Sequence, residues 1–195
     1  MSNIKTKSEI KEIIKALISD KNDLAFKKYI NYIINSLDDK NNELSIWVVV
    51  IFSTCVKNNY IFGLKELFKT NNFKLSQIEH LDSIALRIAV IKNYKNVFKF
   101  LLDNMKISNS DLYKALFYAC EYNKTSILIF ILNETKANPT TNCNESIVTA
   151  DELGHKEIVK ILWNLDSIKL SLINDDEELY LKLKKEYIIK NIEGF

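Results

Sequence analysis

Glu145-Ser146-Ile147-Val148-Thr149-Ala150-Asp151-Glu152-Leu153-Gly154-His155-Lys156-Glu157-Ile158-Val159-Lys160-Ile161-Leu162 reads as two short apolar helices joined by a turn. Gly154 falls where a left-handed residue ends a helix, and the apolar residues on either side recur at the i, i+3, i+4 spacing of a helix with one buried face. Working outward toward the N-terminus, the same phrase returns three times. Ile147-x-Thr149-Ala150-Asp151 before Gly154 is matched by Leu116-x-Tyr118-Ala119-Cys120 before Asn123, Leu86-x-Ile88-Ala89-Val90 before Asn93, and Phe52-x-Thr54-Cys55-Val56 before Asn59. The small residues at the centre of each phrase, Cys55, Ala89, Ala119 and Ala150, lie 34, 30 and 31 residues apart. Spacing of this kind marks stacked helix-turn-helix units. Such a stack is a surface for holding another molecule, and the architecture by itself does not name that molecule.

The 195 residues, 47% of them apolar, suffice for one ordinary domain with a sizeable core or for about five or six units of this length. Three Gly and one Pro leave little turn chemistry for a sandwich, a barrel or a doubly wound sheet, so all-α is the expected class. Lys, Asn and Ile dominate and Arg87 is the single arginine, a bias that an AT-rich coding sequence produces. The formal charge is +2 with Lys and Glu interleaved along most helices, whereas a nucleic-acid binder concentrates its basic residues in a stripe. Lys27-Lys28 and Lys184-Lys185 come nearest to one, and both read as solvated helix faces. Residues 1–7 lack the apolar core of a secretory signal. The longest unbroken apolar run, 46–52, is about a third of the ~20 residues that a membrane helix takes. A soluble cytoplasmic protein is the expectation. Cys55, Cys120 and Cys143 are odd in number and lack CxxC spacing, so the cysteines read as reduced thiols buried between helices.

Residues 8–18 place Ile10, Ile13, Ile14 and Leu17 on one helical stripe. The polar stretch 20–23 ends that helix, a second runs over 24–37, and 38–42 is too polar to bury. The following pairs span 43–56 with 60–68, 84–91 with 95–103, 111–121 with 125–133, and 145–153 with 156–164. Ile46-Trp47-Val48-Val49-Val50-Ile51 is β-branched and, in isolation, favours a strand. It occupies the slot of Leu86 and Leu116 in the next two units, which argues for a buried inner helix. Asp111 and Asn144 are placed to cap their helices with a side-chain oxygen, and Asn93 and Gly154 to take the left-handed turns. After Ser171 the pattern breaks. Asn174 is placed to cap a last helix whose first turn, Asp175-Asp176-Glu177-Glu178, sets carboxylates against the positive end of the helix dipole. Leu179, Leu183, Tyr187 and Ile188 would pack on the fifth unit, with Lys182, Lys184, Lys185 and Glu186 in water. Four consecutive helical carboxylates point in different directions, so no metal site is expected there. The expected whole is a single repeat domain, 1–195, an α-solenoid with repeats at 8–40, 43–74, 75–107, 108–139 and 140–171 and a capping helix at 174–192.

The stretch from Ile131 through Ala137-Asn138-Pro139 to Gly154-His155 and Leu162 resembles an ankyrin repeat: a leucine-rich helix end, an Ala-Asn-Pro hairpin, an inner helix, Gly-His and an amphipathic outer helix. Val97-Phe98-Lys99-Phe100-Leu101-Leu102 and Ile127-Leu128-Ile129-Phe130-Ile131-Leu132 repeat the outer-helix pattern. The resemblance is good over 138–166, fair over 83–134 and weak before Asn59. The family's Thr-Pro-Leu-His tetrapeptide is absent, replaced by Ser83-Ile84-Ala85-Leu86 and Glu145-Ser146-Ile147-Val148, and most hairpin glycines are missing. Shortened fingers before the fifth repeat are therefore expected. Degenerate arrays rich in Asn, Lys and Ile are similar to those of large DNA viruses of eukaryotes, with intracellular bacteria next.

Catalytic chemistry finds little support. The resemblance gives His155 a structural role in the Gly-His turn. His80 beside Glu79 has acid–base chemistry available, but no Ser or Cys nucleophile has a companion at a useful spacing. Gly63, Gly154 and Gly194 as the whole glycine supply rule out a P-loop or GxGxxG. Asp38-Asp39 read as ordinary loop carboxylates. No enzyme activity, cofactor or metal is expected, and the resemblance implies binding of another protein, host or viral, with no nucleic acid and no membrane. It carries the concave surface onto Lys92 with Ile91, Glu121 with Tyr122, Glu152 with Leu153, and the hairpin positions Thr141, Asn142 and Asn144. Tyr122, a large aromatic with a polar tip, fits either a docking anchor or packing on the neighbouring turn. Trp47 and Trp163 sit in dense apolar runs and read as core. The alternative is an assembly subunit that self-associates through the apolar second repeat and the C-terminal helix.

Overall fold

The computed structural model describes residues 7–20, 22–36, 43–70, 78 and 81–189. It falls into two compact units, Met1–Lys106 and Ile107–Phe195. The first contains α1 (Lys7–Ser19), α2 (Asp23–Ser36), α3 (Glu43–Lys57), α4 (Ile61–Phe68), α5 (Asp82–Ile91) and α6 (Lys95–Asn104). These form three antiparallel pairs. The inner helices α1, α3 and α5 pack side by side in one row, and α2, α4 and α6 form a second row behind them. The second unit repeats the plan with α7 (Asn109–Glu121), α8 (Thr125–Glu134), α9 (Thr141–Glu152), α10 (Lys156–Trp163), α11 (Asp166–Asp175) and α12 (Glu177–Lys184), which runs into a π-helical turn, Lys185–Ile189. Here α7, α9 and α11 make the inner row, with α8 and α10 packed behind it. The class is the expected one, all-α and built of helical repeats, with no strand among the described residues. None of their helices is long and apolar enough to cross a membrane.

One turn chemistry closes four of these pairs. Asn59, Asn93, Asn123 and Gly154 have φ of 55°, 58°, 54° and 71°, the left-handed region that Gly and Asn tolerate best. The residue after each donates its N–H to the carbonyl of the small anchor five residues back: Tyr60 to Cys55 at 2.9 Å, Tyr94 to Ala89 at 2.7 Å, Lys124 to Ala119 at 2.8 Å and His155 to Ala150 at 2.9 Å. That bond is the 6→1 closure of a Schellman turn, which satisfies a carbonyl the helix leaves open. The 30-to-34-residue periodicity is therefore a recurring hydrogen-bond geometry as well as an apolar pattern.

Burial explains the β-branched run of α3. Trp47, Val48, Ile51, Phe52, Cys55 and Val56 are all buried, because α3 has α1 on one side, α5 on the other, and α2 and α4 behind it. A helix enclosed on several sides is apolar nearly all round, and tertiary packing overrides the strand propensity of Val and Ile. Trp163 is likewise in the core, at 3% exposure. Cys55 and Cys120 are buried and unpaired, as expected, and burial pushes the Cys120 thiol up to about 12. Cys143 is exposed instead, because it lies in a turn rather than between helices.

The helix starts differ from the sequence reading in three places. α7 begins at Asn109 and is capped by Ser108, whose Oγ accepts from the Asp111 N–H at 3.1 Å. Asp111 thus stands inside the first turn, its carboxylate accepting from the Ser108 hydroxyl at 2.5 Å. The Asn144 side-chain oxygen caps nothing and has no partner among the described residues. Asn174 lies within α11, and Asp176 caps the last helix by accepting from Leu179 N–H at 3.0 Å. The C-terminal cap is accordingly a pair, α11 and α12, rather than one helix over 174–192. Ile168 and Leu172 of α11 and Leu183 of α12 are fully buried, Leu179 nearly so. The last helix is fastened to the preceding pair by the Lys182–Asp151 ion pair at 2.5 Å, by the Trp163 and Tyr180 rings at 5.5 Å, and by Tyr187 Oη donating to the Lys156 carbonyl at 3.3 Å. The side chain of Ile188 lies outside the described residues, as do Asp38, Asp39, Glu79 and His80.

Candidate functional site

α7 buries Leu112, Ala115, Leu116, Ala119 and Cys120 against the rest of its unit. Its remaining aromatic residues are surplus to that face. Tyr113, Phe117, Tyr118 and Tyr122 form a row along the helix, with ring centroids 6.5, 6.0 and 6.4 Å apart in that order. Such separations lie within the range of favourable aromatic pairs. Tyr122 ends the row at 39% exposure, and the other three rings are half-buried. α9 packs beside α7 and adds half-buried Val148 and Thr149, exposed Glu152, and Leu153 at 52% exposure. Along these two packed inner helices, half-buried aromatic and aliphatic side chains thus lead to exposed Tyr122 and Leu153.

The N-terminal ends of these helices are tied by polar contacts. The Tyr113 hydroxyl donates to the Glu145 carboxylate, and the Asn142 amide donates to Glu145 Oε2 at 3.1 Å and to Tyr113 Oη at 3.3 Å. The Tyr113 bond first and the Asn142 bond second hold the Glu145 carboxyl below its ordinary 4.5. Burial first, then the bond to Glu145, pushes the Tyr113 hydroxyl upward, so it stays a donor at neutral pH. A depressed folded-state value means that the stabilisation is whole above about pH 4.5 and is lost as pH falls through the lowered value. The gap in thermal midpoint between the native chain and Glu145→Gln should thus narrow on acidification from about pH 6 to about pH 3; a gap constant with pH would mean the carboxylate is not so held.

A left-handed turn leads into the regular part of α9. Asn142, Cys143 and Asn144 have φ of 52°, 53° and 62° in succession, a run that costs roughly 1–2 kcal/mol per ordinary residue and less for Asn. Just before it, Asn138 Oδ1 accepts from Thr140 N–H at 3.1 Å, and the Asn138 carbonyl accepts from Thr141 Oγ1 at 2.9 Å. The Ala137-Asn138-Pro139 stretch is therefore a tight turn and carries no strand pairing. Asn144 is fully buried. Its amide donates to Ser171 Oγ at 2.9 Å and Asp175 Oδ2 at 3.2 Å, joining α9 to α11, so this residue offers no surface to a partner. Above the turn, a cleft of about 450 Å³ is lined by Asn109, Ser110, Lys114, Lys136, Asn138 and Asn142, with Tyr113 and Thr141. A smaller cleft of about 300 Å³ opens among Ile129, Leu132, Pro139, Ile161 and Leu165 of α8, α10 and their loops.

The residues singled out from sequence separate into distinct places. Glu121 with Tyr122 and Glu152 with Leu153 end α7 and α9 at equivalent positions of two packed helices. Asn142 and half-buried Thr141 stand at the opposite end of those helices, in the cleft wall. Exposed Lys92 and half-buried Ile91 end α5 in the first unit. Sequence reasoning misses Lys114, Lys136, Tyr113, Phe117 and Tyr118; the step of four that joins Tyr118 to Tyr122, and again Tyr113 to Phe117, is the helical signal that finds the aromatics in pairs. His155 is structural, its Nδ1–H donating to the Cys120 carbonyl of the preceding pair at 2.8 Å. Among the described residues no three His, Cys, Asp or Glu side chains gather as a metal site would need.

Comparison with known proteins agrees with this geometry. Residues 52–143 match the family model for ankyrin repeats, in three copies. The match starts in α3, where the resemblance in sequence is weak, and stops before the Gly154-His155 turn, where it is clearest. No curated protein and no solved structure matches the chain. Ankyrin repeats are generally protein–protein interaction modules and typically non-enzymatic.

Proposed function

We propose that this protein is a non-enzymatic docking module that grips one partner protein along the open edge of α7 and α9. The observation that carries the reading is the aromatic row of α7, which ends at exposed Tyr122 and lies inside the ankyrin-matched span. Tyr side chains bring large contact area at low entropy cost and are enriched where interfaces concentrate their energy. Leu153 and Glu152 on α9 extend the same edge. The three unpaired cysteines, one of them exposed, suit a reducing compartment, which supports the cytoplasm as the place of action. A composition rich in Asn, Lys and Ile supports a viral or other pathogen chain working on host proteins.

The test is the pair Glu121→Ala and Tyr122→Ala. Both side chains lie outside the core, so the thermal midpoint should stay within about 2 °C of the native value. Capture of the partner should weaken by at least about tenfold, as truncation of an aromatic anchor does. A photo-crosslinking residue at position 122 in native extract should yield discrete adducts, and one at Lys160, on an outer helix, should not. Folding that collapses in the double variant would instead assign those side chains to packing.

A second reading has its own observation. Leu170 at 65%, Ile173 at 46% and Leu181 at 53% exposure stand on the last helix pair, where a repeat stack needs a polar cap to stay apart from its copies. Light scattering after size exclusion distinguishes the two: a monomer of 22.7 kDa favours docking, and a stable dimer favours assembly.

A further inference from the structure

Glu177, Glu178, Leu181, Lys184 and Lys185 are all exposed, and at i, i+1, i+4, i+7 and i+8 they fall on one stripe of a helix. Buried Leu179 and Leu183 hold the opposite side of α12 against its unit. The helical course runs on through Lys185, whose φ of −63° and ψ of −43° carry α12 into the π-helical turn. Along the stripe the order is two carboxylates, one leucine at 53% exposure and two ammonium groups. Leu181 stands at the midpoint, with Glu177 and Lys185 four residues to either side and Glu178 and Lys184 three, or about 6 and about 4.5 Å along the axis. Among the described residues, no hydrogen bond or ion pair engages the side chains of Glu177, Glu178 or Lys185. Lys184 is steadied by the Tyr180 ring, its Nζ 5.6 Å from the centroid. Lys182, outside the stripe, is paired with Asp151.

We propose that two copies of this protein pair weakly through α12, antiparallel about a two-fold axis at Leu181. A stripe with this order is its own complement when reversed. The axis sets Leu181 on Leu181, Glu177 opposite Lys185 of the second copy, and Glu178 opposite Lys184 of the second copy. The flanks agree as well. With about 100° per residue, Glu177 and Lys184 lie on one side of the Leu181 line and Glu178 and Lys185 on the other, and a two-fold brings unlike flanks together, so both pairings form at once. A parallel arrangement would set Glu on Glu and Lys on Lys, which specifies the direction. Self-complementary contacts of this kind are the commonest way that identical chains associate. Exposed ion pairs are individually weak, and one short helix covers less than the ~1,200 Å² of a stable interface, so the pair is reversible, with a dissociation constant on the order of 100 µM. The proposal rests on the exposed C-terminal surface of the second reading, made reversible, and uses no side chain of the α7 and α9 docking edge.

Sedimentation velocity on the full chain, from about 5 to about 500 µM, tests the pairing. The weight-average mass should rise from 22.7 kDa toward twice that value with concentration, and should rise less as salt goes from about 0.05 to about 0.5 M. Leu181→Ala should weaken the pair at least about tenfold, whereas Leu24→Ala, at an exposed leucine of α2, should leave it unchanged. Glu177→Lys with Glu178→Lys should keep the chain monomeric, and so should Lys184→Glu with Lys185→Glu, because like charges then face each other. Mixed in equal amounts, these two reversed chains should pair at least as tightly as native chains, since every facing pair is again opposite in sign. Circular dichroism verifies that each variant is folded. A monomer at every concentration overturns the proposal. So does pairing that ignores both Leu181→Ala and the reversals, or a mixture of reversed chains that stays monomeric while native chains pair. The docking reading is measured separately, by capture through Tyr122, and stands or falls independently of these outcomes.

Discussion

Phe52→Ala is expected to cost about 4 kcal/mol of unfolding free energy, a large share of the ~5–15 kcal/mol that holds a domain together. Phe52 is 1% exposed at the centre of α3, the helix that touches α1, α5, α2 and α4. Removing its ring loses the transfer energy of the buried surface and leaves a void that neighbouring helices on several sides cannot close together. The informative comparison is Val49→Ala. Val49 is half-buried, and replacing a β-branched residue by Ala gains helix propensity worth about 0.5 kcal/mol, so the net loss should stay below about 1 kcal/mol. A strand would instead bury alternate residues and put Val49 with Ile51 on one face. Denaturant midpoints at constant slope measure these variants beside Ile51→Ala; a loss at 49 as large as at fully buried Ile51 would contradict the helical register of α3.

Gly63→Ala should cost about 3 kcal/mol, the reverse of the stabilisation that Ala ordinarily brings to a helix interior. A Cβ at Gly63 would come within 2.5 Å of Tyr60 Cδ1, 2.6 Å of Cys55 Sγ and 2.7 Å of Phe26 Cζ. None of these has an easy retreat. Phe26 and Cys55 have no exposed surface, and Tyr60 is held edge-on to Phe26 at 4.8 Å while its hydroxyl donates to Asp23 at 2.5 Å. Gly63 is thus the point where α4 approaches both α2 and the end of α3, and its missing side chain sets that approach. Gly154 is glycine for another reason. A Cβ there meets nothing within 4 Å, but φ is +71°, so Gly154→Ala should cost about 1 kcal/mol from the backbone alone. Gly154→Asn should cost less than about 0.5 kcal/mol, since Asn holds the same turn at 59, 93 and 123. Chemical denaturation of the three variants checks the order, with Gly63→Ala the most costly, Gly154→Ala next and Gly154→Asn the least. A neutral Gly63→Ala would mean that α4 sits farther from α2 than this packing requires.

The repeat was legible because two independent signals coincide in the sequence. The small anchors Cys55, Ala89, Ala119 and Ala150 and the Asn or Gly four residues later report one local geometry, in which a packed inner helix ends in a left-handed turn. Neither signal depends on distant parts of the chain. Helix starts were harder to read, since Asp, Asn and Ser all make caps and several stand near each boundary: Ser108 rather than Asp111, and Asp176 rather than Asn174. α11 is hidden in the sequence because it is apolar on both sides, with Ile168 and Leu172 buried and Leu170 and Ile173 exposed, so no single stripe marks it. Asn144 shows the limit for the site. A polar residue in a turn reads as surface, yet bonds to Ser171 and Asp175 bring it fully inside. Those partners lie 27 and 31 residues away, on a helix that the local pattern does not reveal. The aromatic row of α7 is written in the helical spacing, but its exposure follows from which face the core takes, a tertiary fact.

Hydrogen exchange on the chain with and without the protein crosslinked through position 122 tests the docking claim most directly. Bound partner should slow exchange at the C-terminal ends of α7 and α9, about residues 117–123 and 148–154, and leave the outer helices α8 and α10 unchanged. Protection confined to α8 and α10, with the α7 edge exchanging as in the free chain, would contradict the account.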